Sequence, residues 1–295
     1  MLSAHRLRLA VAAALSATPL FMASCGATPS RQAAPPPPPA YAPQVVLPFG
    51  NFINHPAGLA VDGTSNIYVL DSKYGQVWKQ TAGADRPSPL AFDQIGQPTD
   101  VAVDNQSNLY VTDGYHHRVV KLAPPVRNPI TLPFTSLDQI AGVAVDAADN
   151  VYVADMGTDR VLRLTPGASA PAALPFTDLG EVSGVAVDAD GNAYVSDSKA
   201  KRVLKLSAGA TTPTVLPFGA LTQPTAVAVD AAGNVYVSDY RANRVLELPR
   251  GADRPTVLPF TGLDKPSAVA VGGSGAVYVM DSGNFRVLEL PIRSS

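Results

Sequence analysis

The sequence predicts an all-β fold, a six-bladed β-propeller made of four-stranded antiparallel blades. The first observation is a unit of four short, Val-rich apolar runs, clearest at residues 213–248, separated by turn residues such as Asp-Ala-Ala-Gly-Asn. Such runs are typical of strands. The second is a Tyr-Val-x-Asp motif that recurs every 42 residues, with its aspartates at Asp71, Asp113, Asp155, Asp197, Asp239 and Asp281. Six copies of a four-stranded unit without a helical pattern indicate six propeller blades.

Each run has a predicted place in its blade. In Ala-Val-Ala-Val the small alanines suit strand a, the innermost strand, where the blades converge. The Tyr-Val-x-Asp run is strand b and Arg-Val-Leu-x-Leu is strand c, both apolar on two faces because neighbouring blades cover them. The Leu-Pro-Phe run is strand d, the outer edge, where the missing N–H of proline costs least.

The order of these runs predicts how the ring closes. The repeats begin with a strand d run at residues 45–49 and end with a strand c run at residues 286–290. The first run therefore completes the last blade. If Val45, Val46, Leu47 and Phe49 are all buried there, their burial contributes about 6–12 kcal/mol, an upper estimate.

The segments before the repeats predict export and anchoring. Residues 1–25 have a basic start with Arg6 and Arg8 and a short apolar stretch, as in a cleaved export signal. They end in Met-Ala-Ser-Cys, which resembles the attachment motif of bacterial lipoproteins and makes Cys25 the lipidation site. An ordinary secretory signal with an incidental cysteine is the alternative. Residues 26–43 form a Pro-rich linker, and residues 44–295 form the propeller.

The net charge of the chain argues against nucleic acid as a partner. The chain has 22 basic and 24 acidic residues, so its net charge is −2. Loss of Arg6 and Arg8 with the export signal makes the mature protein more acidic still. A protein without a basic excess is a poor candidate for nucleic-acid binding.

Four motifs carry a resemblance to a known family. They are Thr-Val-Leu-Pro-Phe-Thr-Gly-Leu at 256–263, Ser-Gly-Val-Ala-Val-Asp at 183–188, Gly-Asn-Val-Tyr-Val-Ser-Asp at 233–239 and Arg-Val-Leu-Lys-Leu at 202–206. The repeat resembles the NHL repeat, and it is similar to the extracellular sensor domains of mycobacterial receptor Ser/Thr kinases of the PknD type. The resemblance implies a six-bladed propeller without known catalysis that binds or senses something outside the membrane. The chain has no kinase domain, so signalling by phosphorylation is not implied.

A repeated carboxylate and guanidinium are predicted to be structural. Five blades place an arginine five residues after the motif aspartate, while the first blade has Gln76. Because the pair recurs, we expect it to clamp the turn between strands b and c, whereas binding sites should break the repeat. The pairs are Asp113 and Arg118, Asp155 and Arg160, Asp197 and Arg202, Asp239 and Arg244, and Asp281 and Arg286.

Strand direction sorts the loops onto two faces. The d–a and b–c loops share one face, here called the top face, and the a–b and c–d loops share the bottom face, where the lipidated stalk attaches. Residues that break the repeat on the top face are expected to bind a ligand or partner: Phe52, Tyr74, Tyr115, His116, Tyr240 and Phe285. The alternative is that these aromatic rings fold over their own blades and cap the strand ends.

The predicted function is that of a non-catalytic, monomeric exported lipoprotein, lipid-anchored to the outer side of the cell membrane. Its top face would bind a protein or small ligand of the cell envelope, as a sensor, adaptor or scaffold, and no cofactor is expected. The alternative is a metal-dependent lyase or hydrolase that uses His55 and His116 on neighbouring blades. This alternative lacks a third ligand, since a catalytic zinc usually takes three protein ligands and a water.

Overall fold

The computed structural model describes residues 41–90, 95–123 and 128–293. These residues form six four-stranded antiparallel sheets and almost no helix, which confirms the six-bladed propeller. Cys25, the export signal and all of the linker before Tyr41 lie outside the described residues.

The strands follow one another as four per blade. The chain opens with β1 (Val45–Val46). Blade 1 contains β2 (Pro56–Val61), β3 (Ile67–Asp71), β4 (Gln76–Gln80) and β5 (Ser88–Leu90). Blade 2 contains β6 (Pro98–Val103), β7 (Leu109–Asp113), β8 (Arg118–Leu122) and β9 (Ile130–Thr131). Blade 3 contains β10 (Ile140–Val145), β11 (Val151–Asp155), β12 (Arg160–Leu164) and β13 (Ala172–Ala173).

The second half of the ring repeats this order. Blade 4 contains β14 (Val182–Val187), β15 (Ala193–Asp197), β16 (Arg202–Leu206) and β17 (Thr214–Val215). Blade 5 contains β18 (Pro224–Val229), β19 (Val235–Asp239), β20 (Arg244–Leu248) and β21 (Thr256–Val257). Blade 6 contains β22 (Pro266–Val271), β23 (Val277–Asp281) and β24 (Arg286–Leu290). Short 3-10 turns cover Gly50–Phe52, Met156–Thr158, Tyr240–Ala242 and Ser282–Asn284.

The core lies between blades rather than inside any one of them. Strand b is buried along its whole length in every blade, since both of its faces are covered by neighbouring sheets. Strand a lines the central axis, as predicted, and each innermost strand contacts the innermost strand of the next blade. The small residues there allow close approach. A Cβ on Gly58 of β2 would lie only 2.8 Å from the Cα of Asp100 in β6, so no side chain fits at this point.

The outer strand is shorter than the sequence pattern suggests. In blade 4 the paired residues are Thr214 and Val215, and the proline of the Leu-Pro-Phe run lies beyond them. Leu216 still donates its N–H to the carbonyl of Val203, and the chain then turns inward and buries Phe218. The proline therefore ends strand d instead of lying within it, because it has no N–H to continue the pairing.

The ring closes as predicted, by pairing between the two ends of the propeller. Strand β1 pairs with β24, so that the sheet order of blade 6 is β1-β24-β23-β22. The closure extends further toward the N-terminus than residue 44, into the segment assigned to the linker. Tyr41 forms a bridge with Ile292, and Ala42 donates its N–H to the carbonyl of Pro291 at 2.7 Å.

The expected burial of the whole closing run is wrong in part. Val45 and Val46 are 45% and 56% exposed, whereas Phe49 is fully buried and Leu47 nearly so. Strand β1 is the outermost strand of blade 6, and its two valines remain exposed there. Phe49 instead packs in a cluster that joins blade 6 to blade 1, with Met280 and Val69 among its members. Burial of two side chains contributes about 3–6 kcal/mol.

A second repeated device closes the a–b turns on the bottom face. In blade 2, Asp104 accepts the backbone N–H of Asn108 at 2.8 Å, the side-chain amide of Asn108 at 2.7 Å and the hydroxyl of Tyr110 at 3.1 Å. Blades 1, 3, 4 and 5 repeat this arrangement, and blade 6 has Gly272 and Ala276 at the Asp and Asn positions. The aspartate of the turn thus provides a hydrogen-bond acceptor for the hydroxyl of the tyrosine, which would have no partner in the protein core without it.

The described residues contain no helix long and apolar enough to span a bilayer.

The closure can be tested with one buried and one exposed residue of the same run. Phe49→Ala should lower the free energy of unfolding by about 3–5 kcal/mol, because it leaves a cavity between blades 6 and 1. Val46→Ala should change it by less than about 0.5 kcal/mol, because that side chain is exposed. Urea unfolding measures both, and equal effects of the two substitutions would contradict this account of closure.

Candidate functional site: the top face and the axial channel

The top face is held by the motif aspartates at the ends of the b strands. All six are fully buried. In every blade the carboxylate accepts a backbone N–H from the d–a loop seventeen residues earlier, as Asp155 does from Asp138 at 2.9 Å. Three of the carboxylates also accept an N–H from the b–c turn. The aspartate thus fixes mainly the d–a loop, and not the b–c turn alone as expected, because that loop crosses the end of strand b.

The arginine at the start of strand c also binds the motif aspartate, and we call each such pair an Asp-Arg clamp. In blades 2 to 6 its Nε lies 2.6–3.2 Å from the aspartate Oδ2. In blades 3 to 6 its Nη2 also donates to a carbonyl of the d–a loop, such as that of Gly262 for Arg286 at 2.9 Å. Gln76 of blade 1 instead donates to the carbonyls of Val77 and Leu90. Each pair ties two top-face loops together, which is a structural role.

One of these carboxyls, Asp239, shows the electrostatic effect of the clamp. Burial on its own raises the pKa of Asp239, but the N–H groups of Gln223 and Thr222, the hydroxyl of Thr222 and the Arg244 guanidinium together lower it below the ordinary value. The buried aspartate is therefore held in its charged form.

The aromatic residues predicted to bind a partner differ in their exposure. Tyr74, Tyr115 and Phe285 are 64%, 67% and 54% exposed. They lie in the b–c loops of blades 1, 2 and 6, which are consecutive around the closed ring. Tyr240 of blade 5 is half-buried, and Phe52 rests against Trp78 with ring centroids 5.1 Å apart. Four of the five residues are thus exposed, Phe52 least of them at 36%. We call the three that are more than half exposed, Tyr74, Tyr115 and Phe285, the aromatic patch.

Phe285 has an unusual backbone conformation. Its φ is +52°, in the left-handed region, which costs a bulky side chain free energy. The equivalent position has a positive φ in every blade, and the other five blades carry Gly75, His117, Asp159, Lys201 and Asn243 there. Glycine and asparagine tolerate this conformation best. Phe285 is therefore an exposed aromatic side chain at a position whose backbone conformation suits smaller residues better.

The two candidate metal ligands do not form a site. His116 points its Nδ1 at the carboxylate of Asp113, 2.9 Å away, and that carboxylate already accepts from Arg118 and Gly96. His55 lies instead at the mouth of the axial channel, in a cavity that His116 does not line. Among the described residues, no three His, Cys, Asp or Glu side chains are arranged to hold a metal ion.

A cavity of about 720 Å³ opens on the top face between blades 1, 2 and 3. Its lining includes His55 and Lys73 of blade 1, Gln97 of blade 2, and Gln139 and Met156 of blade 3. The aromatic patch does not line it. Sequence reasoning missed this cavity because its position depends on how far the top loops of three blades stand apart.

Sequence reasoning also missed Asp100, although the repeat contains the evidence. The third residue of strand a is glycine or alanine in five blades and aspartate only in blade 2. Asp100 consequently places a carboxylate in the axial channel, where its Oδ2 accepts the N–H of Val143 from blade 3 at 3.0 Å. Aligning the six copies would have found it.

Burial raises the pKa of Asp100 to about 7, and the N–H groups of Val143 and Val101 only partly oppose this effect. The residue is half-buried because its remaining surface faces the channel rather than the bulk solvent. It forms no ion pair with another described residue.

Comparison with known proteins finds the NHL repeat in two of the six blades. The model of the NHL repeat matches residues 96–122 and 221–248, which lie in blades 2 and 5. No curated protein matches the sequence significantly. The similarity to the kinase sensor domains remains a prediction.

Solved structures share the fold at low sequence identity. A streptogramin B lyase is 9% identical, with a TM-score of 0.66 over 86% of this chain and 98% of that chain. A gluconolactonase from Xanthomonas campestris is 14% identical, with a TM-score of 0.68 over 82% and 87%. Nidogen, solved in complex with laminin, is 21% identical, with a TM-score of 0.61 over 68% and 78%. These similarities show the propeller fold alone.

The raised pKa of Asp100 predicts a pH dependence of stability. Between about pH 4 and pH 7 the folded protein retains a proton that the unfolded chain has released, so the contribution of Asp100 to stability falls as the pH rises through this range. Asp100→Asn removes this contribution. Its stability relative to the unmodified protein should therefore increase from pH 4 to pH 8, as measured by urea unfolding.

The control for this experiment is Asp190→Asn, an exposed carboxyl in the a–b turn of blade 4. Its stability relative to the unmodified protein should not change with pH in the same way. A constant difference between Asp100→Asn and the unmodified protein across the range would show that Asp100 titrates normally.

Proposed function

We propose that this chain is a non-catalytic exported lipoprotein whose top face binds a protein of the cell envelope and serves as a sensor, adaptor or scaffold. The observation that carries the proposal is the aromatic patch. Tyr74, Tyr115 and Phe285 are each more than half exposed and lie on consecutive blades of one face.

The chemistry of the patch favours a protein partner. Exposed aromatic side chains bring a large contact area at low cost in side-chain entropy and are enriched among binding hot spots. Tyr115 is held from beneath by Gly96, where an added Cβ would lie 2.8 Å from the tyrosine Cβ. Its ring also meets the His116 ring edge-on, with centroids 5.0 Å apart. A ring held in place in this way loses little freedom when a partner covers it.

The scaffold supports recognition by loops. The Asp-Arg clamps fix the d–a and b–c loops to each other in blades 2 to 6, so the aromatic side chains project from a rigid frame. A rigid frame reduces the ordering cost of association.

A metal-dependent lyase or hydrolase is the second candidate, because His55 lines the top-face cavity. It has weaker support. His116 is engaged by Asp113 and does not share that cavity, and the similarity to lyases extends to the fold only.

Anchoring through Cys25 is part of the proposal and rests on the sequence. The N-terminal segment reaches the propeller at the bottom, where Tyr41 and Ala42 pair with Ile292 and Pro291. A lipid anchor before this point would therefore hold the bottom face toward the membrane and leave the top face available.

Partner binding can be separated from folding by substitutions in the aromatic patch. Tyr74→Ala, Tyr115→Ala and Phe285→Asn should each weaken partner capture about fivefold or more, or ~1 kcal/mol. Phe285→Asn should at the same time keep or slightly raise stability, because asparagine tolerates the left-handed conformation. Quantitative crosslinking and mass spectrometry of cell envelopes measures capture, and thermal unfolding measures stability.

The matched control is Val215→Ala, which removes an equally exposed apolar side chain from the outer rim of blade 4. Capture should not change in this variant. Normal capture by all three patch variants, or loss of capture only together with loss of stability, would refute the role of the patch.

The anchor has a separate test. Cys25→Ala should move the protein from the membrane fraction to the soluble fraction of fractionated cells, because the sulfur is the proposed attachment point for lipid. Immunoblotting of the two fractions measures this. Retention of the variant in the membrane fraction would contradict anchoring through Cys25.

A further inference from the structure

The axial channel has two chemically different halves. The lower half, a space of about 170 Å³, is lined by Ala and Val side chains of the six innermost strands. The upper half is a smaller cavity of about 110 Å³ that contains Asp100 and the hydroxyl groups of Thr99, Ser183, Thr225 and Ser267. This volume exceeds what one water molecule requires. Only the upper half offers polar partners to a bound group.

The carboxyl group of Asp100 has no counterion among the described residues that line the upper cavity. It is the one ionisable side chain among the residues that line this cavity in the described structure. The innermost strands on either side of it, β2 and β10, place Gly58 and Gly142 next to its carboxylate, and β7 behind it contributes Thr112. A carboxylate removed from bulk water without a counterion is unfavourable, so the cavity favours a positively charged ligand.

Three hydroxyl groups of the cavity can donate to carbonyl oxygens of the next blade. Thr99 donates to the carbonyl of Ile140 at 2.7 Å, and Ser183 donates to the carbonyl of Pro224 at 2.9 Å. Thr225 donates in the same way to the carbonyl of Pro266 at 3.3 Å. Each hydroxyl has a single proton. Each of the three also lies 2.7–3.0 Å from a hydroxyl of strand b, that of Thr112, Ser196 or Ser238. A hydroxyl that gives its proton to the next blade can still accept a hydrogen bond from a ligand that brings only donors.

The upper cavity lies next to a larger cavity that opens on the top face. Ala57 and Thr99 line both the upper cavity and the 720 Å³ cavity above it, so the two spaces adjoin. The larger space is lined partly by apolar side chains, including Pro98, Ile140 and Met156. A ligand with a charged end and an aliphatic stem therefore finds a complementary surface for each part.

We propose that the upper axial channel is a binding site for a primary ammonium group, carried on an aliphatic stem, with Asp100 as its counterion. An ammonium group has three donors and no acceptor, which matches one carboxylate surrounded by acceptor hydroxyls. A divalent metal ion fits less well, because such ions take six or more oxygen ligands or several charged ligands. No group of three candidate ligands is present among the described residues.

The ammonium group has two possible sources, a lysine side chain of a partner protein and a free alkylamine. Both have the chemistry that the site requires. Lys73 at the rim disfavours a second positive charge at the outer end of the stem. The proposal does not depend on the aromatic patch, so either proposal can fail without the other.

Calorimetric titration with n-butylamine tests the site directly. Its ammonium form persists well above neutral pH, like that of a lysine side chain at about 10.4, so changes in binding between pH 6 and pH 8 report on the protein. Binding should strengthen over this range as Asp100 loses its proton, and the uncharged n-butanol should not bind. Asp100→Asn should weaken binding at least tenfold and remove the pH dependence, whereas Asp190→Asn should leave both unchanged.

A second variant tests the site independently, in case Asp100→Asn weakens binding only because it folds poorly. Thr225→Val keeps the side-chain shape but removes one acceptor hydroxyl, and it should weaken binding several-fold. Titration with N-acetyl-lysine methylamide then distinguishes the sources: tighter binding than n-butylamine supports a lysine side chain, and weaker binding supports a free amine. The proposal is overturned if n-butylamine does not bind at millimolar concentration, binds no better than n-butanol, or binds Asp100→Asn or Thr225→Val as well as the unmodified protein.

Discussion

Ring closure through the pairing of β1 with β24 is the constraint on which the whole propeller depends. No blade buries its own apolar faces, since the core clusters lie between blades and each one includes residues from two neighbours. The interface between the last and first blades therefore has to form for the ring to be complete. Phe49, which follows β1, fills that interface and connects residues at opposite ends of the chain.

Burial between blades also explains why charged residues recur so regularly in the repeat. The ends of the b strands would leave buried backbone N–H groups of the d–a loops without partners, and a buried donor without a partner is costly. The motif aspartate meets this need in all six blades. The arginine balances most of these carboxylates. Because the clamps hold the top loops, the positions between them are free to vary, and Tyr74, Tyr115 and Phe285 occupy such positions.

Close packing also shapes the axial channel, but there it surrounds a single ionisable residue. Six innermost strands meet at the axis, and their small residues allow the backbones to approach closely. A single substitution in this setting has a large electrostatic effect, because a carboxylate there is distant from bulk water. Asp100 alone makes the upper channel acidic, and burial raises its pKa to about 7. The charge is thus concentrated at one blade rather than distributed around the ring.

The sequence by itself determined the fold class, the number of blades, the role of each run and the partner strands at closure. It could do so because a 42-residue period and short, Val-rich apolar runs are local patterns, and their stacking into a ring follows from the need to cover strand b on both sides. It also singled out the aromatic residues of the top loops, since they depart from the repeat. It did not determine their exposure. Tyr240 and Phe52 follow the same pattern as Tyr74 and Tyr115, yet Tyr240 is half-buried and Phe52 packs against Trp78 and is the least exposed of the other four. Nor did it place His55 and His116 in separate environments, show that Val45 and Val46 lie outside the core, or reveal the cavity above Asp100. Each of these depends on distances between residues on different blades, and such distances are set by the twist and spacing of the sheets, which the tertiary structure alone decides.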